Sequence, residues 1–280
     1  LKTIFQHCIG RSVAEREIVA FANFDIDGTP PPHDLTLLIG GMHGDEIATV
    51  LLLESFRDRF LNNEKLTSPI VLLPVANPDG YARHTRYNAH DVDLNRNCIW
   101  NWSAHSEEPP GPEPWSEPES RALRDFILKM EPAKIVSLHW ALAEIDADGP
   151  QSTALAQAMW DALDDYERKP YRLRIAELGR GKRRLQRTYE ICPGSLGQWC
   201  GYGLRYGDGM QPAMITLELP YDPAADSRPA PLPENHLADL HERWRADAGG
   251  YLAAVEIAVH KMLLAACDFR GFGGKGSVLR

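Results

Sequence analysis

Four short apolar runs constrain this chain more than anything else in it: "LTLLI" at 35–39, "IVLLPV" at 70–75, "KIVSL" at 134–138 and "AMITLEL" at 213–219. A strand that is apolar on both faces must be covered on both, so such runs build the middle of a sheet with helices above and below it. Helical patterns fill the intervals. Residues 46–60 carry Ile47, Val50 and Leu51 at helical spacing. Residues 116–130 open with "SEPE", where Ser116 and Glu119 predict a capping box and Pro118 suits the first turn. Residues 152–166 and 235–266 also read as helices, the latter interrupted at Gly249 and Gly250. The alternation predicts an α/β fold with a covered sheet. With 280 residues, 44% of them hydrophobic, one large domain over 1–280 is expected rather than two. The Pro-rich stretches 103–118 and 220–233 read as long surface loops, because core-like periodicity continues on either side of each. The tail from about 268 is expected to be loosely held.

Composition excludes several classes. A formal net charge of -9 gives the chain no reason to seek nucleic acid or an anionic membrane. No apolar stretch approaches the roughly 20 residues that a bilayer demands. The N-terminal sequence lacks a signal-peptide progression. The five cysteines are scattered and form no C-x-x-C pair, which suits a reducing compartment, and a cytoplasmic location is expected. One basic run, "RGKRRLQR" at 180–187, stands against the acidic background; it reads as a solvated basic face, with a rim for an anionic substrate as the alternative.

Ligands of open α/β sheets collect where loops leave the carboxyl ends of the strands. The polar residues just past each apolar run are therefore the ones to compare. The first run is followed by "GGMHGDE", with His43 and Glu46. The third ends in His139, and the fourth carries Glu218 among apolar neighbours. A catalytic zinc takes three N or O ligands and keeps a position for water, and two His with one Glu form a known set. His43, Glu46 and His139 can supply it. Glu218 is then the candidate for moving the water's proton, because an unpaired carboxylate in a buried strand is costly without a compensating partner. The other eight histidines lack a partner at ligand spacing and read as surface or packing residues, and Trp100, Trp102 and Trp115 as loop packing.

Taken in order, "HGDE", "NPDGY", "TRYN", "DVDLNRN", "SLHW" and "ITLELP" resemble the zinc carboxypeptidases of the carboxypeptidase A type. "GPEPWSEPES" and "CPGSLGQW" resemble its bacterial murein peptide amidase branch. The resemblance runs from about residue 10 to 222. It implies a single-domain α/β/α sandwich with a mixed, mostly parallel sheet of about eight strands. It implies one Zn²⁺ per chain on His43, Glu46 and His139, and Glu218 as the catalytic glutamate. Asp93 matches the carboxylate that orients the first histidine, and Asn95 with Arg96 the pair that grips a terminal carboxylate. Arg86 matches the arginine that stabilises the oxyanion, with Arg83 as runner-up. Tyr189 matches the mobile tyrosine over the substrate, with Tyr202 and Tyr206 as alternatives; around Leu196 to Gln198 the chain departs from the family by an insertion.

The expected function is hydrolysis of a peptide or amide bond next to a free C-terminal carboxylate, on a peptide or a murein-derived peptide. The first alternative is an N-acyl amino acid deacylase resembling aspartoacylase and succinylglutamate desuccinylase. Its members carry a separate C-terminal β-domain, for which the 60 helix-like residues after Glu218 are too few. The second alternative is a zinc module that binds peptide termini without cutting, which the intact Glu218 argues against.

Overall fold

The computed structural model describes residues 3–28, 30–61, 63–64, 66–175, 192–220 and 251–271. The chain begins with a hairpin, β1 (Phe5–Arg11) and β2 (Glu17–Ala22), and continues into β3 (Thr36–Ile39), α1 (Ile47–Phe56) and β4 (Ile70–Leu73). A short α2 (Pro78–Arg83) and a long loop lead to α3 (Pro118–Met130) and β5 (Lys134–Trp140). Then follow β6 (Glu144–Asp148), α4 (Thr153–Asp161), α5 (Asp165–Arg168), β7 (Arg172–Arg174), β8 (Ala213–Leu219) and α6 (Tyr251–Asp268). The eight strands form one sheet in the order β1-β2-β4-β3-β5-β8-β6-β7.

The four apolar runs occupy its middle. β4, β3, β5 and β8 pair in parallel, and antiparallel contacts of β2 with β4 and of β6 with β8 flank them. Alternate residues divide between two cores. Leu38, Leu72, Val136 and Leu217 pack under α1, α4 and α6, while Leu37, Leu73, Ile135 and Met214 pack under α3 and the turn 196–203. Fully burying each such Leu or Ile contributes about 1.5–3 kcal/mol. Phe56 at the end of α1 is 0% exposed, and Phe56→Ala is expected to cost about 3–5 kcal/mol.

Sequence pattern did not announce four of the strands. β6 reads "EIDAD": Ile145 and Ala147 enter the core, while Glu144, Asp146 and Asp148 share the other face. β1, β2 and β7 lie toward the edges and carry mixed patterns. The capping box expected at Ser116 does not form. α3 starts at Pro118, with extended Glu117 at the cap, and the Glu119 carboxylate accepts from Val13 N (3.2 Å) and Asn88 Nδ2 (3.1 Å) instead. Tertiary donors outcompete the local one. The helix expected at 152–166 breaks after Asp161, because Asp164 and Glu167 form a capping box that starts α5. Residues 235–250 of the last expected helix, most of the second Pro-rich stretch and the tail beyond 271 lie outside the described residues.

β3 is where the topology switches. From it the chain crosses to β4 on one side and later returns to β5 on the other, with Ile39 opposite Ser137. The loop after β3 and the end of β5 therefore meet at the carboxyl edge of the sheet, where ligands of such folds collect.

Candidate metal centre

The turn after β3 is tightly prescribed. Gly41 has φ +56, and a Cβ on Gly44 would lie 1.9 Å from the Gly80 carbonyl carbon, so this turn presses directly on the start of α2. The Glu46 N–H donates to His43 O (3.2 Å), and Thr49 Oγ1 donates to Glu46 O (2.8 Å). These bonds set Glu46 at the N-terminal cap of α1, where its side chain makes no capping bond and turns to His43. His43 and Glu46 are 3% and 5% exposed. His139 reaches the same point from β5, in register with Glu218 of β8.

The donor atoms converge. His43 Nδ1 lies 2.7 Å from Glu46 Oε1, His139 Nδ1 lies 3.2 Å from Glu46 Oε2, and the two Nδ1 atoms are 3.3 Å apart. Two imidazole nitrogens at that distance cannot both carry protons. The Nε2 atoms have partners of their own, Asp93 Oδ1 (3.2 Å) for His43 and Ser137 Oγ (3.1 Å) for His139, which leaves the two Nδ1 atoms facing inward. Glu46 Oε2 is buried without an aligned hydrogen-bond donor among the described residues. Zinc–ligand bonds of about 2.0–2.1 Å on a tetrahedron place ligand atoms about 3.3 Å apart. The His43, Glu46 and His139 donors, all within 4.8 Å of one another, fit that ion.

Electrostatics agree with the geometry. Burial opposes a charge on His43, but Glu46 and Asp93 outweigh it and raise its pKa to about 9. Burial likewise works against the Glu46 carboxylate, and the two imidazoles hold it down at about 2. Burial pushes the Glu218 carboxyl upward, and Glu46 adds to this while His139 opposes it. Its Oε2 is a buried acceptor with no donor among the described residues.

Asp93 is fully buried and held well below the usual carboxylate range; His43, Arg86 and Arg96 overcome the burial cost. Its Oδ1 also accepts from Asn95 N (2.8 Å), and its Oδ2 takes Arg86 Nε (3.0 Å) and Nη2 (2.8 Å). Arg86 Nη1 is 3.3 Å from His43 Nδ1, so its guanidinium borders the centre. Arg83, the runner-up, has its Nη2 on Asn88 O. Asn95 accepts from Leu196 N (2.9 Å) through Oδ1 and so ties this loop to the turn 196–203, while Arg96 Nη1 donates to Asn95 O (2.8 Å).

Tyr189 and the basic run 180–187 lie outside the described residues. Of the alternatives, Tyr206 is buried and donates to Pro132 O (2.9 Å), a packing role, and Tyr202 sits in the turn Trp199–Gly203. Trp115 packs edge-on against Trp199, and Trp102 Nε1 donates to Pro110 O. Ser137 was missed, although its spacing from His139 along a strand signals a shared face. The acidic face of β6 was missed too. Glu144 lies opposite Glu218, Arg174 pairs with Glu144 (2.8 Å) and Asp146 (3.2 Å), and burial followed by Asp146 raises Asp148 well above an ordinary carboxyl.

Residues 4–142 match the family model for zinc carboxypeptidases. Murein peptide amidase A of Escherichia coli K12 is 33% identical over 179 residues, covering 59% of this chain and 65% of that protein. The aligned stretch thus spans a little under two thirds of the Escherichia coli relative. Murein peptide amidase A of Vibrio campbellii is 32% identical over 199 residues, covering 66% of this chain and 68% of that protein. Among solved structures, murein-tripeptide amidase from Escherichia coli O157 matches over 93% of each chain with TM-score 0.55 and 24% identity. Bovine thrombin-activatable fibrinolysis inhibitor matches over 94% of this chain and 89% of that one, with TM-score 0.66 and 18% identity. By sequence, by the converging donors and by fold, the chain belongs to the zinc carboxypeptidase family.

Proposed function

We propose that this chain is a zinc-dependent carboxypeptidase or peptide amidase that hydrolyses the amide bond next to a free C-terminal carboxylate, murein-derived peptides being its substrate class. The observation that carries the reading is the meeting of His43, Glu46 and His139 beside a buried Glu218 oxygen that has no donor among the described residues. The murein assignment is supported by the relatives named murein peptide amidase A.

In this reading His43, Glu46 and His139 hold one zinc per chain. When bound, zinc polarises a carbonyl and lowers the pKa of a water toward 7, from about 15.7. Asp93 keeps the His43 proton on Nε2, so that Nδ1 is the ligand atom, a role that imidazole ligands generally require. Glu218 takes the proton of the attacking water and passes it to the leaving nitrogen. Burial favours its protonated form, which suits a group that must hold a proton midway through the reaction. Arg86 donates to the oxygen that gains charge, an interaction commonly worth about 2.7–4 kcal/mol of barrier. Arg96 and Asn95 grip the terminal carboxylate, aided by Tyr189, because a guanidinium fork can donate two parallel hydrogen bonds. Residues 1–280 act as one catalytic domain. Free cysteines favour a reducing compartment, the cytoplasm. No helix among the described residues is long and apolar enough to cross a membrane.

The test is turnover by the zinc-loaded chain of murein tripeptide, C-terminally varied L-peptides and N-acyl amino acids, followed by mass spectrometry. Glu218→Gln should lower turnover of the preferred substrate about 10²–10⁴-fold while the zinc stays bound. Undiminished turnover in that variant refutes the mechanism. Preferential cleavage of N-acyl amino acids would move the chain to the deacylase reading.

A further inference from the structure

Arg86 and Asp93 stand seven positions apart in a loop with little regular structure, yet their side chains are clamped together beside His43. Something must hold that loop closed. Asn88, between them and 0% exposed, uses every polar group it has for this. Its backbone N–H donates to Val92 O (3.0 Å), and its carbonyl accepts from Asp91 N (3.1 Å) and from Arg83. Its side-chain Oδ1 accepts from His90 N (3.0 Å) and Val92 N (3.1 Å), which closes the turn 88–92 around Asp91 at φ +58. Its Nδ2 donates to Glu117 Oε2 (2.8 Å) and Glu119 Oε2 (3.1 Å), at the start of α3.

Those two carboxylates reach further. Glu117 Oε1 accepts from Ser116 Oγ, and Glu117 Oε2 also meets His90 Nδ1 (2.8 Å). Glu119 Oε1 accepts from Val13 N in the β1–β2 turn. The loop bearing Arg86 and Asp93 is thereby bolted to a helix and to the edge hairpin, with Asn88 as the bolt. An amide is the side chain that fits, because it offers an acceptor to the turn and two N–H donors to two acids. Aspartate there would bring a third carboxylate to the pair, and serine could not span both sides.

We infer that Asn88 is a positioning residue of the metal centre, acting through Asp93 and Arg86 without touching metal or substrate. The inference rests on the metal-centre reading above but not on turnover, so its test is run on zinc affinity. Zinc dissociation constants are measured by chelator competition for the unaltered chain, Asn88→Ser, Asp93→Asn and the double variant. Substitutions that disturb the partners of metal ligands typically weaken binding about 10–100-fold. Asn88→Ser, one contact farther out, is expected to weaken zinc about tenfold in the unaltered background and less than about twofold when Asp93 is already Asn. Equal losses in both backgrounds, or no loss in either, would overturn the inference, because a general loosening of the fold does not depend on Asp93. Should Asn88→Ser not fold, Glu117→Gln replaces it; that variant keeps an acceptor for Asn88 but loses its charge, and a two- to threefold loss that disappears with Asp93→Asn is expected. If zinc binds as described and no peptide is cleaved, the functional reading fails while the role of Asn88 stands.

Discussion

β5 carries a buried ionisable residue near each end, and the two are settled in opposite ways. At the amino end Lys134 is 0% exposed, and its ammonium is fully engaged with Asp34 Oδ1 (2.9 Å), Phe269 O (2.9 Å) and Cys267 O (3.3 Å). Ser68 and Arg270 extend the cluster to Asp268 and Asp34, so the end of α6 is fastened beneath the sheet. At the carboxyl end His139 lies among Glu46, His43 and Glu218, where two carboxylate oxygens keep no aligned donor among the described residues. A buried charge that serves architecture saturates its hydrogen-bonding capacity. One that awaits a ligand leaves acceptors over, and their cost is borne by the rest of the fold.

The contrast breaks first at the ligand end. His139→Ala leaves two donors of three, and metal analysis of the purified variant should find zinc well below one per chain. Turnover should fall more than about 10³-fold, because without the metal water retains a pKa of about 15.7. Chelator treatment of the unaltered chain should do the same, reversed by added zinc. Full activity in either preparation would mean that the acceptors left over at this end serve no metal. The thermal midpoint of the metal-free variant should change little.

At the other end the expected effect is on stability alone. Lys134→Met leaves two backbone carbonyls facing an apolar side chain and takes one cation from Asp34, which is a third exposed and keeps Arg270; a buried acceptor left unsatisfied typically costs about 1–3 kcal/mol. Urea unfolding of the metal-free protein measures it. A loss below about 1 kcal/mol would erase the distinction between the two ends of β5.

The same contrast explains what could be read from the amino acids. β3, β4, β5 and β8 were legible because a strand covered on both faces leaves a continuous apolar run. His43, Glu46, His139 and Glu218 were legible because they interrupt such runs or follow them directly. β6 was not, since one of its faces is acidic and the other is only Ile145 and Ala147 with short flanks. The Ser116 capping box failed because Glu119 found partners more than a hundred and some thirty positions away, in Val13 and Asn88, which no local rule anticipates. Arg86 and Arg83 were inseparable by spacing; only the folded loop turns one to Asp93 and the other to Asn88.

The ligand end should also titrate. The His43 pKa is raised to about 9 in the metal-free fold, against about 6.5 when unfolded. Its contribution to stability is therefore complete below about pH 6.5 and is lost as pH rises through about 9. Zinc needs the Nδ1 lone pair, so binding must displace that proton across the same window. Apparent zinc affinity should climb about tenfold per pH unit between pH 7 and 9 and level off above, as chelator competition at fixed ionic strength can follow. A flat profile would mean that Glu46 and Asp93 do not hold His43 protonated.

The smallest effect separates the two kinds of burial most sharply. In metal-free protein Glu218→Gln removes a carboxylate whose charge burial already disfavours and whose Oε2 has no donor among the described residues. Its contact with the Leu142 backbone N–H can be kept by the amide oxygen. The change leaves no backbone carbonyl without its donor, as loss of Lys134 does at Cys267 and Phe269, so stability should shift by no more than about 1 kcal/mol, toward the more stable side. The measurement is urea unfolding of both metal-free forms at neutral pH. A destabilisation near 3 kcal/mol would place Glu218 with Lys134 among the saturated structural charges, and its missing donor would then carry no meaning for catalysis.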